Sequence, residues 1–312
     1  MKTPFLLAAL LAAAWLPAQV KMTRLEGRID VEIDGKPFTS FYHGSETSKP
    51  YLHPLRSASG KIVTRRYPME NVDGEARDHI HHTGLWFTHG DVNGYDFWAN
   101  DPSQRGDRKG KVLLHKIDSV QSGAKQGSIA ATFEWRDPQG KPLLTESRTM
   151  TFRSDPALRV IDLDIRLAAV ERARFGDTKE GTFAVRLATE LEEKHSGRMV
   201  NAGGKATEKG VWGARSPWVD YSGQLGGEKL GVAILDHPEN PRHPTYWHSR
   251  AYGLFAANVF GERDFLRDKS RDGSMTLEPG QPWRFRYRVI IHPGGSEDIG
   301  LRFREYRQPL SN

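Results

Sequence analysis

The 312-residue chain has no cysteine. That excludes disulfides, thiolate nucleophiles, Cys-ligated zinc and iron–sulfur clusters, and leaves His, carboxylates, Arg, Lys, Tyr, Ser and Thr to carry any chemistry. Long apolar runs are missing after residue 18, so no later segment predicts a membrane span. Helix-period segments are scarce, with a short turn of helix over 262–269 as the one candidate. There is no Gly-x-Ser-x-Gly nucleophile elbow and no His-Glu-x-x-His zinc motif. Gly176–Gly181 lacks the Gly-Lys-Ser/Thr of a P-loop. Neither an internal repeat nor a Pro- or Ser-rich linker divides the chain.

The surplus of basic charge is small: 45 Lys and Arg against 39 Asp and Glu, net +6 with His neutral. Signs alternate along the chain, as in Arg24-Leu25-Glu26-Gly27-Arg28, and no long basic run occurs. That pattern predicts a solvated surface and no nucleic-acid partner.

Residues 1–18 read as an address. Lys2 precedes an apolar run from Phe5 to Leu16, which ends in Leu16-Pro17-Ala18. The run is too short to span a bilayer and has the form of a cleaved export signal. The expectation is a periplasmic or secreted mature chain beginning at Gln19, without lipid attachment because no Cys follows.

What the chain does have is turns and alternation. It holds 31 Gly and 18 Pro, and most segments alternate apolar and polar residues with a period of two. Arg28–Ile33 reads as a strand ended by Asp34-Gly35. Ser128–Arg136 and Leu143–Phe152 flank a turn over 137–142 and predict a hairpin. Leu158–Leu167 puts Ile161, Leu163 and Ile165 on one face and Val160 and Asp162 on the other. Lys229–Leu235 is a short apolar strand. Trp283–Ile291 segregates Trp283, Phe285, Tyr287, Val289 and Ile291 from Arg284, Arg286 and Arg288, whose face reads as solvated. The fold class is therefore all-β: residues 19–312 form a single large antiparallel β-sandwich with long functional loops, the alternatives being two sandwiches or a barrel.

Histidine is where chemistry concentrates. Six of the 12 His fall between residues 43 and 89. In Asp78-His79-Ile80-His81-His82, an extended backbone places His79 and His81 on one face and Asp78 and His82 on the other. Imidazole serves as acid, base or metal ligand near neutral pH, or simply hydrogen-bonds loop backbone. Downstream, Asp91, Asn93 and Asp96 lie beside Trp86, Tyr95 and Trp98, a mixture of polar groups and aromatic faces suited to a sugar. The 91–96 run departs from EF-hand spacing and lacks its closing Glu. The Pro-stiffened loop from Asp236 to Arg250 offers His237, Arg242, Trp247 and His248, with Asn258 following. Its three prolines predict extended backbone. Glu180 and Arg186 share a strand parity. Trp212 and the run Trp218–Gly223, which holds Asp220, make a further aromatic and acidic cluster.

These stretches resemble a family of exported bacterial proteins called PmoA-like. The resemblance is carried by Lys49–Leu55 (KPYLHPL), Asp78–Phe87, Gly90–Gly94 with Phe97-Trp98, Gly176–Gly181, Trp218–Gly223 and His237–His248. Ile80 stands where the family commonly has Pro. The family name is not an activity, since a methane monooxygenase subunit is an integral membrane protein. The resemblance implies a sandwich related to galactose-mutarotase-like supersandwiches and a place in carbohydrate breakdown. It implies no particular catalytic residues.

The expected function is thus an exported carbohydrate-active enzyme acting on a glycoside or oxidised (keto) sugar by His/Glu acid–base chemistry. Its catalytic candidates are His81, His82, Glu180, His237 and His248. Substrate-binding candidates are His53, Trp86, Asp91, Asn93, Trp98, Arg186, Asp220, Arg242, Trp247 and Asn258. Two alternatives stand beside it. One is a metal-dependent enzyme with a divalent ion on His79, His81 and Glu180. The other is a non-catalytic carbohydrate-binding protein.

Overall fold

The computed structural model describes residues 19–104 and 106–308. The export-signal reading of residues 1–18 lies outside the described residues.

Chain order explains how two sheets are built. The first five strands, β1 (Val20–Leu25), β2 (Arg28–Ile33), β3 (Lys36–Tyr42), β4 (Tyr51–His53) and β5 (Leu85–His89), open the first sheet. Four long strands then meander through the second: β6 (Lys111–Gln121), β7 (Gln126–Arg136), β8 (Pro142–Ser154) and β9 (Arg159–Ala169). The short β10 (Ala173–Phe175) leads to β11 (Gly181–Arg186), back in the first sheet. Next, β12 (Arg198–Asn201), β13 (Trp218–Leu225) and β14 (Glu228–Asp236) return to the second, and β15 (Tyr246–Ser249) and β16 (Leu254–Asn258) to the first. Finally β17 (Met275–Leu277) pairs with β10, and β18 (Trp283–Pro293) inserts between β14 and β9. Each large sheet has eight strands, all paired antiparallel.

The two sheets pack face to face because each strand turns its apolar residues inward at every second position. Phe41 of β3 meets Phe133 of β7 edge-on at 6.1 Å. Phe183 of β11 stacks on Tyr287 of β18 at 4.4 Å, and Phe87 of β5 lies 5.5 Å from Phe285. Among the described residues three short α-helices complete the fold: α1 (Thr207–Val211), α2 (Glu262–Leu266), within the stretch of helical period, and α3 (Ile299–Tyr306). No described helix is long and apolar enough to cross a membrane.

The expected segregation along β18 holds. Phe285 and Tyr287 are fully buried, whereas Arg284 and Arg288 reach across the outward face to Asp164 and Asp162 of β9. That face is not simply solvated, because α3 closes part of it: Ile299 packs on Val160, Leu235 and Ile290.

Candidate functional site

The outward face of the first sheet carries the densest polar chemistry. Strand register lines up one residue from each of six strands: Tyr42, Tyr51, Trp86, Ala184, Ala256 and His248 are successive cross-strand partners from β3 to β15. The row is aromatic at one end, has two alanines at its centre and ends in an imidazole. Side chains on strands β3, β4, β5, β11 and β16 alternate, so the inward neighbours of these residues build the core while the row itself faces outward.

The chain between β4 and β5 folds over this row. Its histidines do not lie on an extended strand. His79 adopts a positive φ of 45° and its carbonyl accepts from the His82 N–H at 2.9 Å, so residues 79–82 form a tight turn. The turn brings together rings that extended backbone would separate. His79 stacks on His82 at 4.7 Å and on Tyr252 at 5.3 Å, and His82 in turn stacks on Trp86 at 5.3 Å. His81 meets His82 edge-on at 4.6 Å, and Trp98 lies 5.1 Å from Trp86.

Two buried guanidiniums anchor the turn. Arg65 donates to Asp78 Oδ1 at 2.6 Å and to the carbonyls of Asp78 and His79. Arg186 of β11 donates to the same Oδ1 at 3.2 Å and lies over the Tyr252 ring at 4.6 Å. Asp78 Oδ2 pairs with His79 Nδ1 at 2.8 Å. Burial raises the Asp78 carboxyl, but Arg186, His79 and Arg65 together outweigh it and hold it below its ordinary value.

Four histidines around the row, His53, His81, His82 and His248, are held neutral. Burial pushes His81 down to about 3, helped by Lys49 and His79, and pushes His53 and His248 to about 3 as well. His82 is also driven well down by burial. Arg186 Nη1 lies 3.3 Å from His82 Nδ1, so that nitrogen accepts and the proton sits on Nε2. Trp212 donates its indole N–H to His248 Nδ1 at 2.9 Å, which fixes the same tautomer there.

Beside the turn opens a cavity of about 570 Å³, lined among others by Tyr42, Tyr51, Lys49, His81, Thr83 and Asp101. Tyr42 and Tyr51 stack at 5.1 Å to form one wall. Among the described residues His81 Nδ1, Thr83 Oγ1, Trp86 Nε1, Trp98 Nε1 and both His53 ring nitrogens are buried without a hydrogen-bond partner. Unpartnered polar atoms are costly in a core and are expected where a polar ligand is received.

Of the sequence candidates, His81, His82, Trp86, Trp98, Arg186, His53 and His248 lie on or over this face. Glu180 sits just before β11 with its carboxylate 3.1 Å from Lys179; burial raises the Tyr252 phenol and Glu180 adds a smaller push. The metal triplet is not assembled. His79 is engaged by Asp78, the turn gives His79 and His81 different directions, and among the described residues no group of three His, Asp or Glu is arranged to hold an ion.

Other candidates are occupied elsewhere. Asp91 accepts from the Gly94 N–H, and Asn93 bonds the backbone of Arg172 and Arg174, so both build the turn beside β10. Arg242 donates to the carbonyls of Val259, Gly273 and Ser274. Asn258 holds the carbonyls of Thr178 and Lys179. Trp247 points inward, its ring 5.6 Å from that of Phe255 and its indole N–H donating to the Ser216 carbonyl. His237 and Asp220 lie on the outward face of the second sheet, His237 against Tyr306 and Asp220 bonded to His292. The loop after β14 is not extended: it turns around the buried Asp236, which accepts from Asn240, His243 and the Thr245 N–H.

Sequence reasoning missed Arg65, Tyr252 and Lys49. Only Lys49 had a signal, its place in the KPYLHPL stretch; the others reach the site through the fold alone.

Residues 28–301 match the model of a family of unknown function, DUF6807. No curated protein matches the sequence. Among solved structures, the fold is similar to galactose 1-epimerase from Lactobacillus acidophilus NCFM at 8% identity and a TM-score of 0.41, over 88% of this chain and 98% of that one. It is similar to GH36 α-galactosidase AgaA from Geobacillus stearothermophilus at 11% identity and a TM-score of 0.37, over 89% of this chain. There the match spans only 40% of the α-galactosidase. A galactose mutarotase-like protein from Clostridium acetobutylicum matches at 10% identity and a TM-score of 0.37, over 88% of this chain and 98% of that one.

Proposed function

The chain belongs to the DUF6807 family, whose function is unknown, and from its own site we propose that it is a carbohydrate-active enzyme that moves a proton on a glycoside or keto sugar held against Tyr42 and Tyr51. One observation carries this reading: two unpartnered buried polar atoms, His81 Nδ1 and Thr83 Oγ1, belong to residues lining a 570 Å³ cavity that also has a stacked-tyrosine wall. A sugar has apolar C–H faces for the aromatic wall and hydroxyls for the polar atoms, and a cavity of this size suits a small ligand. Within this reading, His81 is the proton acceptor. Burial keeps its ring neutral, and it makes no hydrogen bond among the described residues, so a ring nitrogen is open to a substrate proton. His82, Asp78, Arg65 and Arg186 hold the turn that presents it. The PmoA-like resemblance, with its link to carbohydrate breakdown and export, supports the same substrate class.

The test is a panel of glycosides and 3-keto-glycosides incubated with the full chain and followed by mass spectrometry and by binding calorimetry. The expected result is turnover of a member of the panel, reduced by about 100-fold or more in His81→Asn with binding largely kept. Neither binding nor turnover across the panel, or unchanged turnover in His81→Asn, contradicts it.

A further inference from the structure

We propose that Lys49 is a nucleophile, its Nζ forming an imine with the aldehyde or ketone carbon of a substrate in the 570 Å³ cavity. The inference rests on reading that cavity as a sugar site and adds to it a chemical role and a requirement: the sugar carries a free carbonyl.

The argument begins with what surrounds the amine. Lys49 is 3% exposed, and no carboxylate among the described residues is within ion-pair distance. A lysine buried without an anionic partner is unusual and costly, since charge is expensive to desolvate. Its Nζ has two acceptors, the Trp98 carbonyl at 2.9 Å and Asn100 Oδ1 at 2.8 Å. A neutral amine has two N–H bonds and one lone pair. Two acceptors satisfy those donors and leave the lone pair unengaged. An ammonium has a third N–H, and among the described residues the further feature for it is the Trp86 ring, whose centroid is 5.9 Å away. Burial pushes the amine down to about 7 against the pull of Asp96 and Asp101, so a large fraction is neutral at physiological pH. Lys49 lines the same cavity as His81.

The step balances without any redox partner. The Nζ lone pair forms a C–N bond to the carbonyl carbon, and the carbonyl π electrons pass to oxygen. A proton moves from nitrogen to that oxygen by way of His81, giving a carbinolamine. The hydroxyl takes a further proton from solvent and leaves as water with the C–O bonding pair, while the nitrogen lone pair forms the C=N bond of a protonated imine. The protonated imine draws electrons from the adjacent carbon, so that His81 can remove its proton for epimerisation or elimination. Water then releases the product and regenerates the amine.

The experiment labels the wild-type full chain with glycolaldehyde, a two-carbon hydroxyaldehyde, in the presence of cyanoborohydride, and maps modified lysines by peptide mass spectrometry across pH. The proposal expects Lys49 to be modified at least ~10-fold faster at neutral pH than exposed lysines such as Lys111, because the neutral amine is the reactive form, with its rate reaching half-maximum near pH 7. Modification of Lys49 no faster than Lys111 overturns it. A second arm treats the protein with the 3-keto-glycosides and cyanoborohydride. A sugar adduct on Lys49 supports the proposal, and turnover with no adduct on Lys49 overturns it. Fast labelling by glycolaldehyde with no binding of any sugar keeps the nucleophile and removes the sugar reading, so the two claims fail separately. Lys49→Arg, which keeps a donor but forms no imine, is expected to lose turnover while remaining folded.

Discussion

Arg186 reaches Asp78 across 108 residues of sequence, its Nη2 lying 3.2 Å from Asp78 Oδ1, and this contact fastens the histidine turn to the centre of the first sheet. Both Arg65 and Arg186 have fully buried side chains and share that one carboxylate oxygen. Among the described residues, removing it leaves Arg65 with backbone carbonyls alone and Arg186 with only the buried Glu192 carboxylate, 3.8 Å away, as an anionic partner. Asp78→Ala is therefore expected to cost about 2–3 kcal/mol, below the full value for a buried pair because the carboxylate is 41% exposed. Urea denaturation measures it. A loss under ~0.5 kcal/mol is what an ordinary surface pair gives, and the anchoring role would then be wrong.

The buried histidines set a direction for pH. His53, His81 and His248 sit near 3 and His89 near 4, all through burial, against an unfolded value of about 6.5. The unfolded chain thus binds protons first as pH falls, and stability is expected to drop from pH ~6.5 towards the folded values. His292 acts oppositely. Its two ring nitrogens face Asp220 Oδ1 at 2.8 Å and the Pro293 carbonyl at 3.1 Å, both acceptors. Burial lowers it, but Asp220 more than offsets this and its folded value is raised. Its contribution is full below the unfolded value and fades as pH rises through the folded one. Denaturation of His292→Gln should show a larger loss relative to wild type at pH ~5.5 than at pH ~8.5. An equal loss at both values would show that His292 is not charged in the fold.

Trp212 fixes which His248 nitrogen carries the proton. Indole N–H only donates, so Nδ1 accepts and Nε2 is protonated. Nitrogen NMR of selectively labelled protein should show the Nε2–H tautomer at neutral pH. Trp212→Phe should shift the Nδ1 resonance and allow tautomer exchange. An Nδ1–H signal in the wild type would contradict the contact.

The tyrosine wall is testable by truncation. Tyr42 is half-buried and stacks on Tyr51 at 5.1 Å. Tyr42→Ala should weaken the binding of a sugar from the panel about 10-fold, the scale of one aromatic contact, while Tyr42→Phe retains it. Equal affinities in calorimetry would move the sugar off this wall.

Much of the fold was legible because period-two alternation reports directly on which strand face is buried. Arg28–Ile33 and the 128–152 hairpin, seated in β7 and β8, needed only local pattern. The helix over Ile299–Tyr306 was not anticipated; its only fully buried apolar residue is Ile299, and its apolar stripe shows up only against β14 and β18. The site was legible as a histidine cluster but not as a shape. Extended backbone was the natural reading of residues 78–82, and the positive φ of His79 comes from tertiary contacts to Arg65 and Arg186. Asp91, Asn93, Arg242 and Asn258 have residue types that suit binding equally well to backbone or to sugar, and the fold uses them on backbone. Lys49 had no signal beyond its place in the KPYLHPL stretch, because its burial depends on residues about 50 positions away, Trp98 and Asn100.

The most direct test of the central claim is a crystal structure of the full chain with a bound keto sugar or its reduced analogue. The account predicts the sugar ring against Tyr42 and Tyr51, within hydrogen-bond reach of His81. A ligand bound instead on the outward face of the second sheet, at Arg284–Arg288 and His237, would contradict it.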